Sequence, residues 1–263
     1  LPIVFMVLFS LSVFLAAGLA IMTVRRRVAA TGIPEGATAA IKAVKQTVLI
    51  VDDDPEMVEI IHQFLTDEGY ATIHALSGKE CLNILKKQLP DLILLDVLMQ
   101  PMNGWETLEQ IKKDPITKPI PVLMLTGKRL TSAEAKQYNI CIDDYITKPF
   151  RHEEIFTAID NILQRKQRFK DGLELAKKVG VDREKFCELA KLSRRITVNK
   201  KIIDILQAPA GTPAWGPDEL TPENKEVIEQ ITITTRANEQ RAEQLKTEIN
   251  KVFRSKGVPE INW

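Results

Sequence analysis

The stretch DLILLD at residues 91–96 decides the fold, because an unbroken apolar run ends there in a carboxylate. Leu and Ile at this density are typical of a strand buried on both faces, as in a parallel sheet with helices on either side. A charged Asp96 is too costly to bury without a partner, so we expect it at the carboxyl edge of the sheet. Open α/β sheets bind their ligands at that edge.

A second stretch, TVLIVDDD at residues 47–54, repeats this pattern. The apolar run Thr47–Val51 is followed directly by Asp52, Asp53 and Asp54. Since the carboxyl ends of parallel strands share one edge of a sheet, two buried strands that end in acid predict a single acidic pocket.

From residue 47 to about residue 165 the pattern alternates between strand and helix five times. Alternation of this kind implies right-handed crossovers and a parallel sheet with helices on both faces. The predicted strands are Thr47–Val51, Ala71–Ala75, Leu92–Asp96, Pro121–Thr126 and Ile142–Thr147. The predicted helices are Pro55–Glu68, Gly78–Gln88, Gly104–Asp114, Thr131–Tyr138 and Glu153–Gln164.

Composition excludes a few classes of function. The 263 residues include 36 Lys and Arg against 35 Asp and Glu, a net charge of +1, so no global attraction to nucleic acid is expected. The cysteines Cys81, Cys141 and Cys187 are few, odd in number and scattered. This pattern predicts reduced thiols in the cytosol, without a disulfide framework or a cysteine metal site.

The N-terminal run Leu1–Val24 contains no charged residue and is followed at once by Arg25, Arg26 and Arg27. About 20 apolar residues span a bilayer as a helix, and basic residues mark the cytoplasmic side. We therefore expect residues 1–27 to be a single-pass membrane anchor, with the rest of the chain cytoplasmic. A cleaved signal peptide is the alternative, but no basic segment precedes the run. Residues 28–46, rich in Ala and Gly, are predicted to be a linker.

Two further polar residues follow predicted strands, so five side chains are expected at the same edge of the sheet. Any one carboxylate alone has an ordinary structural explanation, such as a helix N-cap. Five such residues in this order are better explained by one site. They are Asp52, Asp53, Asp96, Thr126 and Lys148.

The motifs around these residues closely resemble those of response-regulator receiver domains, over about residues 47–165. The matching segments are Val51-Asp52-Asp53-Asp54-Pro55, Leu95-Asp96-Val97-Leu98-Met99 through Asn103-Gly104, Leu125-Thr126-Gly127 and Lys148-Pro149-Phe150. The resemblance implies a flavodoxin-like five-stranded sheet in the order 2-1-3-4-5. It also implies that Asp96 accepts a phosphoryl group from a histidine kinase or phosphotransfer protein, and that the domain is not a turnover enzyme.

The same resemblance implies a Mg²⁺ site formed by Asp52, Asp53, Asp96 and the backbone carbonyl of Leu98. Oxygen ligands of this kind suit Mg²⁺, which keeps several waters. Phosphoryl transfer needs charge neutralisation and positioning more than covalent help, so a metal beside the acceptor carboxylate is chemically reasonable.

Other residues take roles from the resemblance as well. Lys148 is expected to pair with the phosphoryl oxygens and Thr126 to donate a hydrogen bond to one of them. The bond between Lys148 and Pro149 is a candidate cis peptide. Tyr145 stands at the family's aromatic switch position, and ordinary half-buried packing is an equal alternative.

The sequence departs from the family pattern at two places. Gln100 stands where a proline is usual, with Pro101 one residue later, which predicts a different loop shape after Asp96. Gly127 stands where Ala or Ser is common, which widens the space beside Thr126.

Residues 166–207 are predicted to be helical and basic, and they resemble the helical extensions that follow receivers in some archaeal regulators. A helix-turn-helix that binds DNA is one interpretation. A helical hairpin with a solvated basic face is preferred, because Glu184 and Glu188 would face the phosphates. Nucleic acid is therefore not expected as the main partner.

Residues 208–222 are rich in Pro and Gly and are predicted to be a linker. Residues 223–256 are predicted to form one amphipathic helix whose apolar seam keeps heptad spacing. A homodimeric coiled coil and docking onto the rest of the chain are equal alternatives. The sequence thus predicts a membrane-tethered response regulator that signals to a protein partner, with a DNA-binding transcription regulator as the alternative. The seam residues are Ile228, Ile231, Thr235, Asn238, Ala242, Leu245, Ile249 and Val252.

Overall fold

The computed structural model describes residues 46–127, 130–138, 142–207 and 222–260. Its five strands form one parallel sheet in the order β2-β1-β3-β4-β5, which is the predicted flavodoxin-like order. The strands are β1 Thr47–Val51, β2 Ala71–Ala75, β3 Leu92–Asp96, β4 Val122–Thr126 and β5 Asp144–Thr147. The last two strands begin later than predicted. For β4 the reason is that Pro121 has no N–H to donate to the ladder, although its carbonyl accepts from Ile93 at 3.0 Å.

The helices cover both faces of the sheet and then continue beyond it. They are α1 Pro55–Asp67, α2 Gly78–Leu85, α3 Gly104–Lys113, α4 Ser132–Tyr138, α5 His152–Val179, α6 Arg183–Gln207 and α7 Pro222–Ser255. Three of the helices that pack on the sheet begin with side-chain caps, supplied by Asp54 for α1, Ser77 for α2 and Asn103 for α3. Such caps satisfy backbone N–H groups that have no partner within the helix, and they fix where each helix starts.

Two apolar layers pack on opposite faces of the sheet, because successive strand residues point to opposite sides. Leu49 and Val51 belong to one layer, while Val48 and Ile50 belong to the other. Strand β3 is buried at every position, as its apolar run predicts. In helix α1 the buried residues are Val58, Ile61 and Leu65. Ile60 of the same helix is 46% exposed and lies outside the core.

Helix α5 continues far beyond its predicted end at Gln164. It runs for 28 residues to Val179, and Gly180 stops it in the left-handed conformation at φ 82°. Gly172 does not interrupt the helix, since it provides room for a neighbour: a Cβ there would lie 2.6 Å from the ring of Phe186. The boundary drawn at residue 165 therefore lies within a continuous helix.

Helices α6 and α7 pack against each other and against the end of α5. A separate apolar cluster joins Ala176 of α5 to Phe186 and Leu189 of α6 and to Leu245 and Phe253 of α7. Most of the heptad seam of α7 is buried within the chain, which favours the docking alternative over a coiled coil between two chains. A buried hydrogen bond of 2.9 Å from Asn199 Nδ2 to Thr235 Oγ1 adds a polar link in the seam.

The same two helices also pack beside β5 at one end of the sheet. Buried residues of α6 and α7 share an apolar cluster with the region around β5, including Tyr145 and Ile142. Two ion pairs flank this contact, Lys201 Nζ to Asp144 Oδ1 at 2.6 Å and Arg194 to Asp143 Oδ1 at 3.4 Å. The α6 and α7 residues of the cluster are Val198, Ile202, Leu206, Val227, Ile228 and Ile231.

The predicted anchor at residues 1–27 lies outside the described residues, as do nearly all of the two predicted linkers. Within the part of the chain that the structure describes, none of the helices has the length and apolar character needed to cross a bilayer. Cys141 is also outside the described residues, and Cys81 and Cys187 are free thiols.

Candidate functional site

The carboxyl edge of the sheet brings the predicted polar residues together. Asp52 follows β1, Asp96 ends β3, Thr126 ends β4 and Lys148 follows β5. Asp52 and Asp96 are almost fully buried, with 1% and 2% of their surfaces exposed. Buried carboxylates require compensating partners, so the contacts of this cluster decide what it can do.

Lys148 provides the compensating charge. Its Nζ lies 2.6 Å from Asp52 Oδ2 and 2.7 Å from Asp96 Oδ1. Burial alone would lower the pKa of Lys148, but its close contacts with the two carboxylates raise the pKa above its usual value. The ammonium therefore stays charged at neutral pH and holds the two acids together.

Asp96 has one oxygen that is well bonded and one that is available. Its Oδ2 accepts a hydrogen bond of 2.6 Å from the Leu98 backbone N–H. Its Oδ1 is buried and has no hydrogen bond of good geometry, because its 2.7 Å contact with Lys148 is an ion pair without favourable angles. A buried oxygen with unused lone pairs suits a nucleophile or a ligand for a cation.

The donor set fits a hard divalent cation. Oxygens of Asp52, Asp53 and Asp96 all lie within 4.8 Å of one another. Asp53 is solvent-exposed and accepts a hydrogen bond of 3.3 Å from the Gln100 backbone N–H. Carboxylates on a partly open edge leave room for waters, as Mg²⁺ requires. These three residues would hold the ion, and a carbonyl ligand from Leu98 stays a prediction.

Gly104 fixes the backbone behind the acceptor. A Cβ at this position would lie 2.1 Å from the Asp96 carbonyl oxygen, and the Gly104 N–H donates to the Val97 carbonyl at 3.0 Å. The preceding Asn103 forms a capping box with Glu106 that starts α3. The Asn-Gly pair was noted in the sequence only as part of a motif. Its role, the close approach of α3 to the end of β3, needed the structure.

The side chains of Thr126 and Tyr145 are hydrogen-bonded to each other beneath the pocket. Tyr145 is 2% exposed, so the residue is fully buried, whereas the alternative to the switch role assumed half-buried packing. Burial raises the pKa of Tyr145 strongly, and a hydrogen bond with the Thr126 side chain opposes that rise. The ring therefore links the floor of the pocket to the apolar cluster that includes α6 and α7. The predicted cis bond between Lys148 and Pro149 is confirmed, and the Gln100–Pro101 bond is cis as well.

An acidic pocket with a paired lysine and a buried hydroxyl, at the carboxyl edge of a 2-1-3-4-5 sheet, defines a receiver-type signalling domain. The family model for the response regulator receiver domain matches residues 48–160, and this part of the chain belongs to that family. A second family model, described as Metanogen output domain 2, matches residues 165–253. That match covers the end of α5 together with α6 and most of α7.

Several known proteins match over the receiver. The heme response regulator HssR of Staphylococcus saprophyticus is 36% identical over 45% of this chain and 52% of its own length. The probable transcriptional regulator ycf29 of Porphyra purpurea is 34% identical over 44% of this chain and 56% of its own length. The chain thus spans about half the length of these curated relatives.

A solved structure, the N-terminal domain of a response regulator receiver protein from Methanoculleus marisnigri, is 52% identical. The match covers 44% of this chain and 95% of that chain, with a TM-score of 0.38. A CheY-like receiver domain protein from Methanospirillum hungatei is 35% identical over 45% of this chain and 91% of that chain, with a TM-score of 0.40.

We expect Asp96→Asn to raise the free energy of unfolding at neutral pH in the absence of Mg²⁺. Burial raises the pKa of the Asp96 carboxyl, although Lys148 opposes that rise. Because the folded-state pKa lies above the unfolded-state value, this group's contribution to stability is lost as the pH rises through the folded-state pKa. The variant's gain in the free energy of unfolding should therefore disappear at a pH well below 3.8, the ordinary pKa of this carboxyl, because the group is then protonated in both the folded and the unfolded state.

Urea unfolding at neutral and acidic pH measures this difference. Asp67→Asn is the control, since Asp67 is an exposed carboxylate at the end of α1. A variant at Asp96 that is less stable than the native protein at neutral pH would show that Lys148 outweighs burial.

Proposed function

We propose that the chain is a two-component response regulator in which Asp96 accepts a phosphoryl group, with Mg²⁺, from a histidine kinase or phosphotransfer protein. The α6 and α7 helices pass the resulting change to a protein partner. One observation supports this route. The aromatic ring of Tyr145 lies between the pocket and the helices, bonded to Thr126 on one side and packed in the same apolar cluster as Ile202 on the other.

The chemistry of Thr126 suggests how the change is transmitted. A threonine hydroxyl has one proton, so it can donate one hydrogen bond at a time. A phosphoryl group on Asp96 would compete for that proton with the present partners of Thr126, and a charge-assisted bond to phosphate is the stronger one. The position of Tyr145 would then change beneath α6. Since buried apolar contacts pack closely, movement of this ring should loosen the helices above it.

Limited proteolysis with trypsin tests the proposal. Helix α6 carries several lysines and arginines, among them Lys200 and Lys201, whose ammonium groups pair with Glu239 and Asp144. We expect faster cleavage within α6 after treatment with a small phosphodonor and Mg²⁺, and no change in Asp96→Asn. Equal cleavage rates for labelled and unlabelled native protein would contradict transmission through α6.

We expect the phosphorylated state to decay slowly, because Leu98 stands two residues after Asp96, a position that flanks the attacking water in receiver domains. Its side chain is 53% exposed and carries no polar atom that orients a water. A misplaced nucleophile can cost on the order of a hundredfold in rate. Lys128, which flanks the other side in receivers, lies outside the described residues.

The decay of the phosphoryl label with Mg²⁺ present, in the native protein and in Leu98→Asn, measures this effect. Faster decay in the variant is the expected result. Loss of the native label within seconds, or equal decay in both proteins, would show that Leu98 does not control hydrolysis.

We also propose that residues 1–24 tether the protein to the cell membrane with the receiver in the cytoplasm. The support is the uncharged run followed by three arginines in the sequence. Recovery of the full chain in the membrane fraction, released by detergent and not by salt, is the expected result. Full-length protein in the soluble fraction would oppose the tether.

A DNA-binding regulator is the second candidate, because relatives such as ycf29 carry the description of probable transcriptional regulators. Several basic side chains of the C-terminal region already pair with acids of this chain, including Arg194 with Asp143 and Lys185 with Glu248. This pairing favours a protein partner. DNA retention by the full chain at several salt concentrations separates the two, since phosphate contacts give a steep salt dependence.

A further inference from the structure

Two of the three histidines of the chain are in contact beside the edge strand β2, apart from the acidic pocket. His62 comes from α1 and His74 from β2, the edge strand. His62 Nδ1 and His74 Nε2 are 3.2 Å apart, and the two rings meet edge to face with centroids separated by 4.8 Å. Both side chains are partly buried.

A hydroxyl completes the group on the same strand face. Thr72 lies two residues before His74, so both side chains point to the same side of β2. Its Oγ1 is 2.6 Å from His62 Nδ1 and 3.3 Å from His74 Nε2. Three potential ligand atoms therefore form a small triangle. In the absence of an ion they satisfy one another, with Thr72 donating to His62 and His74 donating to Thr72.

The geometry points to a binding site for a borderline divalent transition cation, such as Zn²⁺, Ni²⁺ or Cu²⁺, held by His62 and His74. Zinc–nitrogen bonds of 2.0 to 2.1 Å in tetrahedral geometry place two ligand nitrogens about 3.3 Å apart. The observed separation of 3.2 Å is close to this value. The ion would replace these hydrogen bonds, and the Nε2 proton of His74 would move to its Nδ1 as the neutral ring changes tautomer.

The surroundings favour a cation that prefers nitrogen. Imidazole ligands suit Zn²⁺, Cu²⁺ and Ni²⁺, whereas Mg²⁺ prefers carboxylate and water oxygens. Burial and the neighbouring His62 lower the pKa of His74, so its ring is neutral at physiological pH. Glu59, an exposed carboxylate on α1, contributes negative potential at His74. The two histidines are only partly buried, which leaves positions for water.

An ion at this place would tie helix α1 to the edge strand of the sheet. The two ligands belong to different elements, and the hydrogen bonds between His62 and residues of β2 are their present polar link. A ligand that binds only the folded state raises the free energy of unfolding. The site is therefore separate from the phosphoryl pocket in both its ligands and its expected effect.

Calorimetric titration of the full chain with Zn²⁺ tests the inference, in the presence of excess Mg²⁺ to fill the acidic pocket and a reductant to keep the thiols reduced. We expect one site in the native protein. His62→Gln and His74→Gln should each weaken binding by more than about tenfold, since each removes a direct ligand. His152→Gln is the matched control and should bind as the native protein does.

A second readout uses the native protein, so it does not depend on how the variants fold. With three histidines in the chain, proton NMR resolves each imidazole signal. Zn²⁺ should shift the signals of His62 and His74 and leave that of His152 in place. Binding that persists in both variants, a shift confined to His152, or no Zn²⁺ binding in excess Mg²⁺ would each overturn the assignment.

Discussion

Asp96→Asn should abolish phosphoryl labelling by a small phosphodonor in the presence of Mg²⁺. The side chain of Asp96 has the one buried carboxylate oxygen that lacks a well-formed hydrogen bond among the described residues of the pocket, and Lys148 lies 2.7 Å from it. An amide removes the negative charge and turns half of the group into a donor, so it does not attack phosphorus and is a weaker ligand for a cation. Intact-mass measurement after incubation with the donor checks the loss.

Two further variants, Asp53→Asn and Asp67→Asn, show whether a loss of labelling comes from the acceptor, from the metal site or from a general loss of charge. Asp53 contributes an oxygen to the same cluster, and its amide should shift labelling to a much higher Mg²⁺ concentration. Asp67 is an exposed acid of the same domain, and its amide should label as the native protein does. Undiminished labelling of Asp96→Asn would place the acceptor on another residue.

Phe186→Ala should destabilise the helical C-terminal region by about 3 to 5 kcal/mol, the usual cost of removing a large buried aromatic side chain. Phe186 has no exposed surface and packs against Gly172 and the Phe169 ring, whose centroid is 5.8 Å away. It belongs to the cluster formed by α5, α6 and α7, and not to the two layers that cover the sheet.

Two measurements accompany this variant. Urea unfolding gives the loss in the free energy of unfolding, with Ile233→Ala as the control, because Ile233 on α7 is 59% exposed and should change it by within about 0.5 kcal/mol. Labelling of Asp96 should survive Phe186→Ala, since the pocket rests on the receiver layers. A variant that loses labelling while its receiver stays folded would show that the pocket depends on the helical region.

The sheet and the pocket were predictable because their signals are local. An apolar strand followed by a carboxylate fixes both the burial of β3 and the position of Asp96, whatever the rest of the chain does. Thr126 and Lys148 follow by the same logic, since parallel strands end at one edge. The contacts of Lys148 with Asp52 and Asp96 then follow from the cost of burying charge.

The helical region was predicted less well, because its arrangement depends on contacts between distant segments. The heptad pattern of α7 is the same whether the helix packs against a second copy of the chain or against α6 of its own chain. Ile231 is buried beside the β5 region because it packs on the surface of the receiver. The heptad pattern of α7 contains no information about that surface. The continuation of α5 past Gln164 was missed because the pattern weakens there, although Gly180 was a visible stop.

The histidine pair was missed for the same reason. His62 and His74 are separated by twelve residues and lie on different elements, so their 3.2 Å contact follows from how α1 packs on β2. Alternation along β2 places Thr72 and His74 on one face, but nothing in the strand specifies the helix residue opposite them.

Amide hydrogen exchange in α6 tests the central claim, that phosphorylation of Asp96 reaches the C-terminal helices through Tyr145. The measurement compares exchange over residues 196–207 in the native protein and in Asp96→Asn, before and after incubation with a small phosphodonor and Mg²⁺. The account predicts faster exchange in the labelled native protein and no change in the variant, because loosened packing exposes backbone amides. Fully labelled native protein whose α6 exchanges at the unlabelled rate would contradict it.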